Sequence, residues 1–102
     1  KLTNCFKPQY KYLKLKDIFF LNERYTKIQS LDDALNNKNN LNPSPKIIAE
    51  RLKKGHKLKS IKLLKIGKKF HIKEGRLRYW SHVIAYGWNK RIKILLTGEI
   101  KV

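Results

Sequence analysis

Apolar and polar side chains alternate at three places along this chain. The first is Tyr10 to Leu15 (Y-K-Y-L-K-L), the second Ile61–Ile66 followed by Lys69–Lys73, and the third Arg91–Thr97 (R-I-K-I-L-L-T). A period of two is the mark of a half-exposed strand. Gly67 sits between the two central segments and predicts a tight hairpin. Its alternation turns Ile61, Leu63, Phe70 and Ile72 toward one side. A short apolar run, Asp17 to Leu21 (D-I-F-F-L), either continues the first strand or packs beneath the core.

Three segments read as helices. Ser30 can cap a short one through Leu35, with Asp32 and Asp33 placed favourably in its first turn. The clearest starts at Ser44-Pro45 and stops at Gly55, and Ile48 and Leu52 on one face give it an apolar side. A third opens after Gly75 and runs to Tyr86, with Tyr79, Trp80, Val83 and Ile84 as its stripe and Gly87 as its stop. Residues 1–9 read as a loose arm, and 36–43 (N-N-K-N-N-L-N-P) as a polar surface loop where disorder is expected. The order β, α, α, β, β, α, β predicts a small α/β or α+β domain over residues 10–102, a mixed sheet with helices packed on it.

Size and composition narrow the class. A chain of 102 residues, 41% hydrophobic, has enough apolar surface for one modest core. No stretch approaches the roughly 18 consecutive apolar residues of a membrane span, so no membrane partner is expected. Cys5 is the single cysteine, which excludes an internal disulfide and fits a reducing, intracellular compartment. Three scattered histidines and one cysteine do not make a zinc site, and no cofactor is expected. Lys1 stands where an initiator Met is usual, so the chain reads as a processed product or part of something longer.

Charge changes the picture most. Twenty-five Lys and Arg against seven Asp and Glu give a net +18, which opposes compaction unless anions neutralise it. Nucleic acid is the usual partner of such a domain, and DNA is favoured here over RNA. Lysine-rich coding is the alternative source of the charge: Lys, Ile and Asn make up 39 residues, the bias of AT-rich viruses, plasmids and organelles. Between Lys46 and Lys73 stand eleven basic residues and one acid, Glu50. Lys57, Lys59, Lys62, Lys65, Lys68, Lys69 and Lys73 follow the link and hairpin, and are expected to project from one face as a stripe that tracks a backbone. Tyr79 and Trp88 are candidates for base stacking, whereas Trp80 suits the core.

The candidate chemistry lies in Ile72–Ser81, I-K-E-G-R-L-R-Y-W-S. A strand runs into Gly75 and a helix opens after it with Arg76 and Arg78 in its first turn. Glycine there permits close approach, and a helix N-terminus offers N–H donors and a positive dipole end to an anion. Phosphate is the natural ligand of such a turn. A plain strand–turn–helix junction, with Arg78 paired to Glu74 or to a backbone carbonyl, is the competing account.

From Pro45 to Leu96 the sequence resembles the ParB/sulfiredoxin superfamily. The resemblance rests on A-E-R-L-K-K-G-H-K-L-K-S-I with Leu58 and Ile61, on G-R-L-R-Y-W-S with Gly75 and Arg78 in the G-x-x-R positions and Ser81 in that of a small Ala, and on A-Y-G ending at Gly87. It implies that fold, and that Gly75 and Arg78 hold phosphate with Arg76 assisting, a nucleotide being an alternative ligand. Sulfiredoxins carry a nucleophilic cysteine where this chain has Arg76 and a histidine where it has Leu77, so their reductase activity is not expected. The 15 residues after Gly87 leave no room for the helix-turn-helix region of partition-type relatives.

Three functional readings follow. The leading one is a nucleic-acid binder of low sequence specificity, without catalysis. The second is a nuclease or nucleotide hydrolase using Arg78 and Glu74, with Glu50, His71 or His82 as helpers. The third is a structural RNA-binding subunit of a ribonucleoprotein.

Overall fold

The strands and helices form where the pattern places them, with one addition near the start. In chain order they are β1 (Gln9–Lys14), a 3-10 turn (Leu15–Asp17), β2 (Ile18–Phe20), α1 (Leu31–Leu35), α2 (Pro45–Lys53), β3 (Ile61–Ile66), β4 (Lys69–Glu74), α3 (Arg76–Tyr86) and β5 (Arg91–Ile100). The computed structural model describes residues 7–20, 30–38 and 40–102. The arm expected over residues 1–9 falls mostly outside them, and Gln9 already belongs to β1.

The five strands make one mixed sheet in the order β1-β5-β3-β4-β2, with three helices packed on it. β1 runs antiparallel to β5, β5 parallel to β3, β3 antiparallel to β4, and β4 parallel to β2. The short run Asp17–Leu21 thus does not continue β1, and Ile18 from it is buried in the core with Phe20 packed against it. Its residues Ile18–Phe20 form an edge strand on the far side of the sheet, paired with Phe70–Ile72.

This connection dictates the sheet's shape. The chain from Lys14 to Ile18 can reach at most about 14 Å. Four inter-strand spacings across a flat sheet come to about 19 Å. The sheet must therefore curl, and what it curls around is α3. Tyr79, Trp80 and Val83 of α3 are buried among Leu15, Ile18, Ile61, Leu63, Ile72, Ile92, Ile94 and Leu96, contributed by the 3-10 turn and four strands. Full burial of one such side chain stabilises by about 1.5–3 kcal/mol. The Tyr79 hydroxyl donates to the Leu15 carbonyl at 3.2 Å, tying the helix to the 3-10 turn. Burial pushes that phenol up to about 12.

The caps are those the sequence offers. Ser30 Oγ accepts from the Asp33 N–H at 3.1 Å and Ser44 Oγ from the Ile47 N–H at 3.2 Å. Past α2, Gly55 takes φ +95°, its N–H bonds the Leu52 carbonyl, and the His56 N–H bonds that of Arg51, a Schellman closure. In the Asn-rich segment, Asn37 and Leu41 bond to each other through side chain and backbone. Asn37 Nδ2 donates to the Leu41 carbonyl at 3.0 Å, and its Oδ1 accepts from the Leu41 N–H at 2.9 Å. Leu41 then packs against the core, anchoring the loop with its one large apolar side chain.

Candidate nucleic-acid interface

The Gly75 turn is built around Arg78. Gly75 caps α3 with φ +115°, and a Cβ there would come within 3.3 Å of the Arg78 guanidinium and of Ile61 Cγ2. The missing side chain lets Arg78 fold back across the turn. Its Nη1 donates to the carbonyls of Ser60 at 2.9 Å and Lys59 at 3.2 Å, and its Nη2 lies 3.6 Å from Glu74 Oε1. Arg78 thereby pins the link before β3 to the start of α3. The guanidinium expected to hold phosphate is engaged by the protein's own acceptors. Arg76 lies with its guanidinium carbon 4.4 Å from the centre of the Phe20 ring, a cation–π stack on β2.

Glu74 is held from two sides, by Arg78 and by Lys62 Nζ at 3.3 Å. Tyr10, Lys59, Ser60, Lys62, Glu74, Arg78 and Leu95 surround a cavity of about 320 Å³ at this end of the sheet. The fold therefore gathers Arg78, Lys59 and Lys62 from the expected set.

The seven lysines do not form one stripe. β3 alternates, so Lys62 and Lys65 point to opposite faces. Lys65 lies on the core-facing side, 3.9 Å from Glu99 Oε2 and 5.7 Å from the centre of the Phe70 ring. Lys68 occupies the hairpin turn, where Gly67 alone takes positive φ, and Lys69 stacks at 5.2 Å over Phe19 on the other face. Lys73 is a bulged residue: Lys62 pairs with Glu74 and Leu63 with Ile72, leaving Lys73 unmatched and exposed. A strict period of two divides any run of strand lysines between faces.

Lys57 and Lys59 meet different neighbours, which the sequence alone did not bring forward. The Schellman turn at Gly55 sends the link 56–60 back past α3 toward β3. Between them lies a groove of about 430 Å³ lined by His56, Lys57, Lys59, His82, Tyr86, Lys90 and Lys93 over a floor that includes Leu52, Leu58 and Ile92. It presents four lysines and two histidines and no carboxylate. Tyr86 donates to the Leu52 carbonyl at 3.1 Å, bracing α2 against α3, and Lys90 Nζ sits 5.0 Å over its ring. Burial, and then the charge of Lys90, hold His82 below the usual histidine range. Its Nδ1 is buried without a hydrogen-bond partner. Lys90 and Lys93 lie more than thirty residues from Lys57, so only the tertiary fold unites them.

The aromatic residues also sort differently from expectation. Tyr79 is buried and cannot stack on a base. It forms an edge-to-face cluster with Phe20 and Trp80, which Trp88 extends from the turn before β5. His71 lies on the outer face beside Phe19, with its Nδ1 buried and unpartnered. Glu50 is exposed on α2. Among the described residues no three of His, Cys, Asp or Glu gather as a metal-binding group, and no helix is long and apolar enough to cross a membrane. Comparison with known proteins finds no matching family, curated protein or solved structure.

Proposed function

We propose that this protein binds the sugar–phosphate backbone of nucleic acid, with little sequence preference and without catalysis of its own. The observation that carries the reading is the carboxylate-free groove between α2, the link 56–60, α3 and β5, where Lys57, Lys59, Lys90 and Lys93 converge. Cations placed together at one concavity repel each other unless a polyanion neutralises them, and displacing counterions from that polyanion drives the association. Lysine, a strongly hydrated point charge, suits phosphate contact that carries no sequence information. The Gly75 turn is a support of this site, because Arg78 fixes the carbonyls of the two residues, Lys59 and Ser60, that edge the groove.

The test is titration of a fluorescein-labelled duplex across about 50 to about 200 mM salt, where backbone contacts make log K fall steeply. Replacing Lys57, Lys59, Lys90 and Lys93 by Ala should flatten the slope by about 0.7–0.9 per lysine that contacts a phosphate. A slope unchanged by all four substitutions would remove the groove from the interface. Cleavage of the same duplex with Mg²⁺ or Mn²⁺, abolished by Glu74→Gln, would establish the hydrolase instead.

A further inference from the structure

The sheet has a second face, and at its β1 edge that face is aromatic and cationic. Lys11 and Leu13 pair with Ile94 and Ile92 on the core side, so the alternate residues turn outward. Tyr10 and Tyr12 of β1 are 61% and 63% exposed, far more than a tyrosine with a packing role. Tyr10 pairs with Leu95 and Tyr12 with Lys93, and Lys93 Nζ lies 4.6 Å over the Tyr10 ring. Lys62 follows on the next strand but one, beside Leu95. The acid that shares a cavity with Tyr10, Glu74, is already held by Lys62 and Arg78. The buried residues of α1 and α3 belong to the core on the opposite face, and α2 packs on α3.

We propose that Tyr10 and Tyr12 are a stacking platform for the unpaired bases of single-stranded nucleic acid. The inference rests on the backbone-binding reading above and adds which form of nucleic acid is preferred. Two observations choose this occupant. First, Lys59 and Ser60 border both the lysine groove and the cavity beside Tyr10, so a strand seated in the groove has a neighbouring surface at that tyrosine. Second, the cations interleaved with the rings suit a ligand that alternates flat apolar bases with negative charge. A second copy of a chain bearing +18 would bring like charge against like. An exposed sheet surface accepts splayed bases on aromatic rings, whereas a duplex keeps its bases stacked inside. Lys93 now covers Tyr10 and would swing from the ring to a neighbouring phosphate as a base takes its place.

The experiment compares three labelled probes in low salt: an oligothymidylate, an abasic strand of the same length, and a duplex. The oligothymidylate is expected to bind about tenfold or more tighter than the abasic strand. Tyr10→Ala/Tyr12→Ala should erase that advantage while leaving abasic binding in place, and Tyr10→Phe/Tyr12→Phe should keep it. Equal binding of oligothymidylate and abasic strand by the unaltered protein would overturn the platform and leave the backbone reading standing. Failure to bind any of the three probes would overturn both. A dimer in sedimentation that dissociates on Tyr10→Ala/Tyr12→Ala would give the face to a second copy and likewise overturn the proposal.

Discussion

Arg78 Nη1 donates to the Ser60 carbonyl at 2.9 Å, a contact across eighteen residues of sequence that fastens the approach to β3 onto the first turn of α3. Hydrogen bonds from a charged donor contribute about 1.5–3 kcal/mol, so Arg78→Ala should destabilise by about that amount. Arg78→Lys should recover only part, because an ammonium cannot reproduce the planar fork. Glu74→Gln should change stability by less than about 1 kcal/mol, since its carboxylate is largely solvated. Urea unfolding measures all three, and wild-type stability in Arg78→Ala would show the arginine is no strut.

Gly75→Ala confronts two obstacles at once. A side chain at φ +115° is strained, and its Cβ would press on the Arg78 guanidinium at 3.3 Å. The expected loss is about 1–3 kcal/mol. Thermal melting of Gly75→Ala alongside the double variant with Arg78→Ala separates the two causes: if contact with Arg78 matters, the second substitution costs less in the alanine background.

Acidity should act through His82. Its pKa is lowered in the folded state by burial and by Lys90, so below about 6.5 the unfolded chain takes up a proton that the folded one refuses. Stability is complete above the ordinary histidine pKa and falls as the pH drops toward the lowered value. His82→Gln should blunt this acid sensitivity, as read from melting temperatures between neutral and mildly acidic pH. A saturating polyanion in the groove should oppose the trend, because negative charge beside the imidazole favours its protonated form.

Ser81 is fully buried in α3 and its hydroxyl donates to the Leu77 carbonyl at 2.8 Å. That carbonyl belongs to the helix ladder, so Ser81→Ala strands no acceptor and should change stability by less than about 1 kcal/mol. Ser81→Leu, by contrast, overfills the α3 interface and should cost about 1–3 kcal/mol or more. Equal stability of these two variants, measured by denaturant midpoint, would contradict tight packing at this position.

Local signals carried most of the fold. Ser44-Pro45 and Gly55 bounded α2 because cap chemistry is decided within four residues, and Gly67 marked the hairpin because its φ of +60° suits glycine. What escaped was long-range. Ile18–Phe20 is too short for a period to show, and only pairing with β4 makes it a strand. In the Asn-rich loop, composition does not reveal the two hydrogen bonds between Asn37 and Leu41. At the candidate site, Lys57 and Lys59 were visible as part of a basic run, yet Lys90 and Lys93 join them only through the parallel pairing of β3 and β5. Arg78 was legible as a residue of consequence, and its two carbonyl partners were not.

β1 and β2 occupy opposite borders of the sheet although three residues separate them. One short N-terminal strip thus seals both rims of the three-stranded centre, in the manner of a clasp. Cutting the chain after Phe20 and losing the severed strip would leave β5 and β4 with raw hydrogen-bonding edges at the same moment, and such edges recruit other chains. The protein without that strip should therefore pass directly to aggregate, with no trimmed, soluble core surviving in between.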